Sequence, residues 1–247
     1  MSETVLYTDL SAYYDLMCAD INYQAQSDCV HRLHQIFGNK GVSHLDIGCG
    51  TGPHIRHFLD HGYQCQGLDL NQPMLDQAQI RCPEAAFTLQ NMCEFRIDQP
   101  VDLITCFLYS IHYTGELQPL QHCIGAVAKA LNAGGVFCFN AVDKDHIDNQ
   151  SSVAHSTHQD NSCFDFRSGW YYEGQGDQQK LRLSIRKTTN EHVECWQDSH
   201  PMVAIDFAQL TKMLDPYFEV TVLEHNYDTL QPLEVNSGNA LFVCVKR

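Results

Sequence analysis

The chain has 247 residues with 15 Lys plus Arg against 30 Asp plus Glu, a formal charge of -15 that repels a phosphate backbone, so nucleic acid is not an expected partner. With 44% hydrophobic and 18% charged residues it is neither disordered nor collagen-like, and no run of eighteen apolar residues offers a membrane span. At roughly 150 residues per domain, the length suits one large domain or one domain carrying an insertion.

Along the chain, an opening stretch with Tyr7, Tyr13 and Tyr14 leads into residues 21–37, where Cys29, Val30, Leu33, Ile36 and Phe37 recur at helical spacing and Gly38 supplies the stop. Residues 42–47 read as a strand, 53–61 as a helix ending at Gly62, 63–70 as a strand and 72–80 as a helix. Asn71 is the expected N-cap of that helix, with Pro73 in its first turn. Strands follow at 87–90 and 101–107. The helix at 116–131 carries Leu117, Leu120, Ile124, Val127 and Leu131 on one stripe and ends in Asn132-Ala133-Gly134-Gly135, before a fifth strand at 136–142. Repeated βα units of this kind require a parallel sheet covered on both faces.

The rhythm changes near residue 150. Residues 146–160 are polar and read as a loop, while 163–172, 180–189 and 192–203 read as strands. Leu181, Leu183 and Ile185 alternate with polar neighbours, and Gly174-Gln175-Gly176-Asp177 is a hairpin turn signal. An antiparallel insertion is the simplest account. A helix at 206–214 and strands at 217–225 and 240–245 complete the pattern.

Twelve cysteines invite a disulfide or zinc reading, but no two lie closer than eleven residues, so no metal-gripping pair or dense framework of short loops forms. They read as buried, reduced thiols. The acidic, interrupted N-terminus has neither the basic nor the apolar region of a secretory signal, and a cytoplasmic location is expected. His54, His57 and His61 share one helical face, which a semi-exposed surface explains without a metal; none is expected.

The most informative segment is His44-Leu45-Asp46-Ile47-Gly48-Cys49-Gly50-Thr51-Gly52-Pro53-His54, which closes the first strand and opens the next helix. Alternate glycines let the backbone pass close to a ligand near a helix N-terminus. Asp69, at the end of the next strand, stands 23 residues after Asp46, close to the roughly 20-residue interval of a carboxylate that grips ribose hydroxyls. A nucleoside-containing ligand follows. The nicotinamide pattern G-x-G-x-x-G fails, because the sixth position is Pro53 counted from Gly48 and Ile55 counted from Gly50, and no Gly-Lys-Ser or Gly-Lys-Thr is present.

The pattern D-x-G-x-G-x-G instead resembles the class I S-adenosylmethionine-dependent methyltransferases. LDIGCGTG is similar to their first motif and GLDLNQPMLDQAQ to their second. Gln90-Asn91-Met92 stands where the family usually places an Asp beside adenine, VDLITCFLYSIHY resembles the fourth strand and its active-site exit, and LNAGGVFCFN resembles the turn into strand five. The matches run in order over residues 40–142. Ala12-Tyr13-Tyr14-Asp15, residues 107–113 and the β insertion resemble a small-molecule subgroup that includes sugar N-methyltransferases and glycine N-methyltransferase-like enzymes.

The resemblance implies a Rossmann-like, doubly wound α/β fold with seven strands in the order 3214576, the last antiparallel. It implies a helical prefix or lid at 1–40, a core at 41–150 and 204–247, and an antiparallel insertion at 151–203 covering the substrate site. S-adenosylmethionine is the implied cofactor and S-adenosylhomocysteine its product. Carried over, Asp46 orients the glycine turn, Gly48, Cys49 and Gly50 approach the methionine portion and ribose, and Asp69 accepts both ribose hydroxyls. Leu70 and Met74 flank adenine, Met92 offers it a backbone N–H, Asn91 departs from the usual Asp, and Phe107 is a further cofactor-binding candidate.

Methyl transfer from a sulfonium needs chiefly an in-line nucleophile, helped by a nearby base. His112 as base and Tyr14 as cover over the cofactor are the catalytic candidates, and Tyr113, Trp170 and Tyr172 are candidates for the substrate wall. A small acceptor, with nitrogen preferred, is the leading expectation; a protein or other macromolecular acceptor, or a non-catalytic binding module, is the alternative. The sequence leaves the oligomeric state open.

Overall fold

Strand-and-helix alternation through residue 142 supplies five strands of a seven-stranded sheet, described by a computed structural model that covers residues 5–7, 10–190 and 192–247. Two short 3-10 turns, Val5–Tyr7 and Ser11–Tyr13, lead into α1 (Tyr14–Met17) and α2 (Tyr23–Phe37). The side-chain oxygen of Asn22 accepts from the Ala25 N–H at 2.9 Å and caps α2. Next come β1 (Ser43–Ile47), α3 (Pro53–Asp60), β2 (Gln64–Asp69), α4 (Gln72–Arg81), β3 (Ala86–Leu89) and β4 (Val101–Cys106). They are followed by a 3-10 turn at Ser110–Thr114, α5 (Leu117–Ala130) and β5 (Leu131–Val142). A second set of strands, β6 (Val153–Gln159), β7 (Ser162–Tyr172), β8 (Gln178–Thr189) and β9 (His192–Val203), precedes α6 (Phe207–Leu214), β10 (Phe218–Glu224) and β11 (Asn239–Lys246).

The main sheet runs β10-β11-β5-β4-β1-β2-β3. Numbered by its own strands this is 3214576, with β11 antiparallel to both β5 and β10 and the β1–β5 pairings parallel. Its central strands are apolar on both sides because helices cover both faces. On one face Ile104, Phe137 and Phe139 pack against Leu120, Ile124 and Val127 of α5 and Leu210 and Leu214 of α6. On the other, Leu103, Val136 and Cys138 meet Val30 and Leu33 of α2 and Ile55 and Phe58 of α3. Each such side chain, fully buried, contributes about 1.5–3 kcal/mol.

A separate four-stranded antiparallel sheet, β6-β7-β8-β9, packs Phe164, Phe166, Leu183 and Ile185 against Leu6 and Leu10 of the N-terminal segment. That segment and this sheet therefore share a core of their own.

Three local expectations are corrected. Part of the 146–160 stretch is the edge strand β6, because Asp160 adopts φ 52° and Asp160-Asn161 closes a two-residue hairpin that supplies β6 with backbone partners from β7. Its polarity reflects an edge position, where few side chains are buried. β5 starts at Leu131 rather than 136, since Leu131 pairs with Val101 across a register shift. Asn71 precedes α4 but makes no side-chain cap; its amide donates to Asp69 Oδ1 at 3.2 Å instead.

Candidate active site

The carboxyl ends of β1, β2 and β4 open toward the N-terminal segment and β9, the edge at which open α/β sheets bind ligands. After β1 the chain turns through Gly48 at φ 70° and Gly50 at φ 54°, conformations a side chain strains. A Cβ on Gly48 would stand 3.2 Å from Ser110 Cβ, so the turn also needs the missing side chain for space. The N–H groups of Gly48 and Cys49 both donate to the Leu68 carbonyl, at 2.8 and 2.9 Å, pinning the turn to the end of β2.

Asp69 is the hub of this arrangement. Its Oδ2 accepts from the Gly50 N–H at 3.0 Å and its Oδ1 from the Asn71 N–H at 2.9 Å. Burial raises its pKa, and the backbone donors from Asn71 and Gly50 oppose the rise. The carboxylate borders a cavity of about 430 Å³ lined by Gly48, Gly50, Leu70, Met74, Asn91, Met92, Tyr14 and Tyr113, together with Tyr7, Ser110, Asp198 and Ser199. The sequence candidates from the glycine turn, the second motif, residues 91–92 and the N-terminal tyrosine thus meet at one cavity.

Asp46, Cys49 and Phe107 stand one layer behind, around a recess of about 20 Å³ that shares Gly48, Tyr14 and Ser110 with the cavity. Thr105 Oγ1 donates to Asp46 Oδ1 at 2.7 Å and accepts from His44 Nε2 at 2.8 Å. Burial lifts the Asp46 carboxyl to about 7, against the pull of Thr105, and lowers His44 to about 3. The histidine is therefore neutral and serves Asp46 as a donor through Thr105.

Three further candidates line neither this cavity nor the recess behind it. His112 is wholly enclosed: its Nε2 accepts from the Val142 N–H at 3.1 Å, so Nδ1 carries the hydrogen and donates to the Val203 carbonyl at 2.9 Å. Burial pushes it down to about 4. With both nitrogens committed, this side chain fastens the end of β5 to the end of β9 and reaches no acceptor. Trp170 packs edge-on against Tyr109 and His112 and lines a different cavity. Tyr172 donates to the Gly176 carbonyl at 2.9 Å and closes its own hairpin, lining neither cavity. Of the three histidines foreseen on one helical face, His54 of α3 bonds Gln26 at 2.8 Å inside the core, while His61, at the C-cap of α3, pairs with Asp28 at 2.7 Å outside. Among the described residues no group of three or more His, Cys, Asp or Glu side chains is placed to hold a metal.

Cavity residues missed by sequence reasoning include Tyr7, Ser110, Asp198 and Ser199, and His200 stands behind them against Asp198 and Tyr113. Asp198 and His200 stand two apart on a strand foreseen at 192–203, which puts them on one face. Nothing in the chain shows which face looks inward. The second cavity, about 520 Å³, is lined by Asn149, Ser151, Ser152, Arg167, Arg182 and Gln197, and it shares Asp198 and Ser199 with the first. The Arg182 guanidinium lies 3.6 Å over the Tyr171 ring.

Residues 45–135 match the family model described as a methyltransferase domain. Among curated proteins, a dTDP-3-amino-3,4,6-trideoxy-alpha-D-glucopyranose N,N-dimethyltransferase of Streptomyces venezuelae is 29% identical over 115 residues, 47% of this chain and 48% of the relative. The chain spans about half the length of the curated relatives it matches. Among solved structures, DesVI of Streptomyces venezuelae superposes with a TM-score of 0.84 at 22% identity, covering 97% of this chain and 99% of that one. CalS10 of Micromonospora echinaspora, an amino pentose methyltransferase solved with S-adenosylmethionine bound, gives 0.80 at 17% identity over 97% and 96%. Residues 45–135 are thus similar to a methyltransferase domain, and the chain shares the fold of DesVI over 97% of its length.

Proposed function

We propose that this protein transfers a methyl group from S-adenosylmethionine to an amino group of a small acceptor, an amino sugar linked to an anionic carrier. The observation that carries the reading is the Asp69 carboxylate, held by the Gly50 and Asn71 N–H groups at the border of a cavity whose other walls are the glycine turn, Met74 and residues 90–92. A fixed acceptor between a backbone turn and apolar side chains suits the two hydroxyls of a ribose beside a purine.

The residues present fit the cofactor. Asp69 would take the ribose hydroxyls, Leu70, Met74 and Met92 the adenine, and Gly48 and Gly50, backed by Asp46, Cys49 and Phe107, the methionine portion. The sulfonium supplies an electrophilic methyl carbon with a good leaving group. The chain's own work is to orient the acceptor nitrogen and keep water out. Tyr7 and Tyr14, from a prefix over residues 1–40, and β9, from the insertion at 151–203, act as covers on the core formed by 41–150 and 204–247.

Relatives named for dTDP-linked amino sugars, and the guanidinium of Arg182 beside Arg167 in the adjoining cavity, support an acceptor whose amine enters beside Tyr113 and Asp198 while its anionic part occupies the second cavity. No helix among the described residues is long and apolar enough to cross a membrane, and all twelve cysteines are free; these support placement in a reducing cytoplasm.

The test combines titration calorimetry with turnover of S-adenosylmethionine on a panel of nucleotide-linked amino sugars and their hydroxyl analogues. The expected result is S-adenosylhomocysteine release with an amino sugar only, and an Asp69→Ala variant at least about ten-fold weaker for S-adenosylhomocysteine, ~1.4 kcal/mol. Wild-type affinity in that variant, or turnover restricted to hydroxyl acceptors, would overturn the assignment.

A further inference from the structure

The cavity wall contributed by the N-terminal segment, the 3-10 turn after β4 and β9 is a continuous chain of hydrogen bonds whose direction can be worked out. His200 is fully buried, and its Nε2 lies 3.0 Å from Asp198 Oδ2. A carboxylate only accepts, so Nε2 carries the hydrogen and Nδ1 presents a lone pair. Tyr113 Oη lies 2.5 Å from that Nδ1 and therefore donates to it. Tyr7 Oη lies 2.6 Å from Tyr113 Oη, and since the hydrogen of Tyr113 is committed to His200, Tyr7 donates to Tyr113. The Tyr7 oxygen keeps its own lone pairs, and both tyrosines line the cavity. The Leu6 N–H, 3.4 Å from Asp198 Oδ2, and the Tyr7 ring, 5.2 Å from that of His200, hold the two ends of the chain together.

We propose that Tyr7, Tyr113, His200 and Asp198 form a directed proton relay that strips the acceptor amine of its proton, Tyr7 being the catalytic residue and His200 and Asp198 positioning residues that act through Tyr113. The proposal rests on the methyl-transfer reading above. An amine arriving as ammonium gives one N–H proton to Tyr7 Oη. The hydroxyl proton of Tyr7 passes to Tyr113 Oη, and that of Tyr113 passes to His200 Nδ1. Three bonds to hydrogen break and three form. The amine is left with a free lone pair, and the imidazolium stands beside the Asp198 carboxylate.

The groups facing His200 are Tyr7 from the N-terminal segment, Tyr113 from the 3-10 turn and Asp198 from its own strand. Cys18 and Asp69 act on the tyrosines from farther along the cavity. Burial holds His200 below its ordinary value while Asp198 draws it upward, so it rests neutral with a carboxylate ready for its charged form. Burial keeps both tyrosines well above their ordinary values, so they pass protons without storing charge.

Three measurements test the relay. Nitrogen NMR of the free protein should show His200 protonated at Nε2 with an unprotonated Nδ1, whose signal moves in Tyr113→Phe. The pH profile of kcat/KM on an amino acceptor should fall at least ten-fold near neutral pH in His200→Gln and in Tyr7→Phe, within the range of general base catalysis. That loss should vanish above the amine's own pKa, where the acceptor is already neutral. Calorimetric affinity of His200→Gln for S-adenosylhomocysteine should match wild type, and Tyr7→Phe, which removes a single hydroxyl, guards against a folding defect. Protonation at Nδ1, or wild-type profiles in both variants, overturns the relay alone. A wild-type protein that binds S-adenosylhomocysteine yet methylates no amine overturns the methyl-transfer reading and the relay with it.

Discussion

Single residues here behave according to what surrounds them. Asp46 and Asp69 both close strands beside the glycine turn, yet Asp69 meets the cavity with two backbone donors while Asp46 is enclosed behind it with Thr105 as its hydrogen-bond donor. The Asp46 carboxyl, raised to about 7, holds its proton more tightly in the folded than in the unfolded chain. Stability from this group is therefore complete below the ordinary carboxylate value and is lost as pH rises through about 7. Asp46→Asn keeps the acceptor for Thr105 and cannot ionise. It should melt at least about 2 °C above wild type near pH 8, ~1 kcal/mol, with the gap closing toward pH 4 in thermal melts of the ligand-free protein. His112 shows the converse: its position after the fourth strand suits a base, but its ring is consumed by two backbone groups.

Among the elements, the strands and helices of the core were legible because their apolar periodicity is strong, and boundary differences are mostly one or two residues. The edge strand β6 was hidden, since an edge needs no apolar alternation; only Asp160-Asn161 marked it. The insertion's inner face was legible from Leu183 and Ile185, but the role of its outer residues was not. Arg182 is held over Tyr171 and borders the second cavity with Arg167. Replacing Arg182 by Ala should raise KM for a nucleotide-linked acceptor several-fold and leave KM for an uncharged amine and affinity for S-adenosylhomocysteine near wild type, measured by steady-state kinetics and calorimetry.

At the scale of the whole molecule, the N-terminal segment is joined to the core where the glycine turn begins α3. Thr51 Oγ1 donates to Asp15 Oδ1 at 2.6 Å, and Arg81 at the end of α4 donates to the Thr51 carbonyl at 2.7 Å and pairs with Asp15. Asp15 and Arg81 are partly exposed, so their ion pair adds only about 0–1 kcal/mol to global stability. Its effect is local. Asp15→Ala should speed hydrogen exchange across residues 11–18 at least several-fold while the melting temperature stays within about 2 °C of wild type.

The repeated strand-helix periodicity, the strand-turn-helix around Gly48 and Gly50, and the 23-residue step from Asp46 to Asp69 made a parallel α/β core and a nucleoside-type ligand legible, because those features depend on residues near one another in the chain. The far wall was decided only by tertiary structure. Tyr7 and His200 stand 193 positions apart, and they meet because Leu6 and Leu10 share a core with Phe164 and Leu183, a packing that local periodicity does not encode.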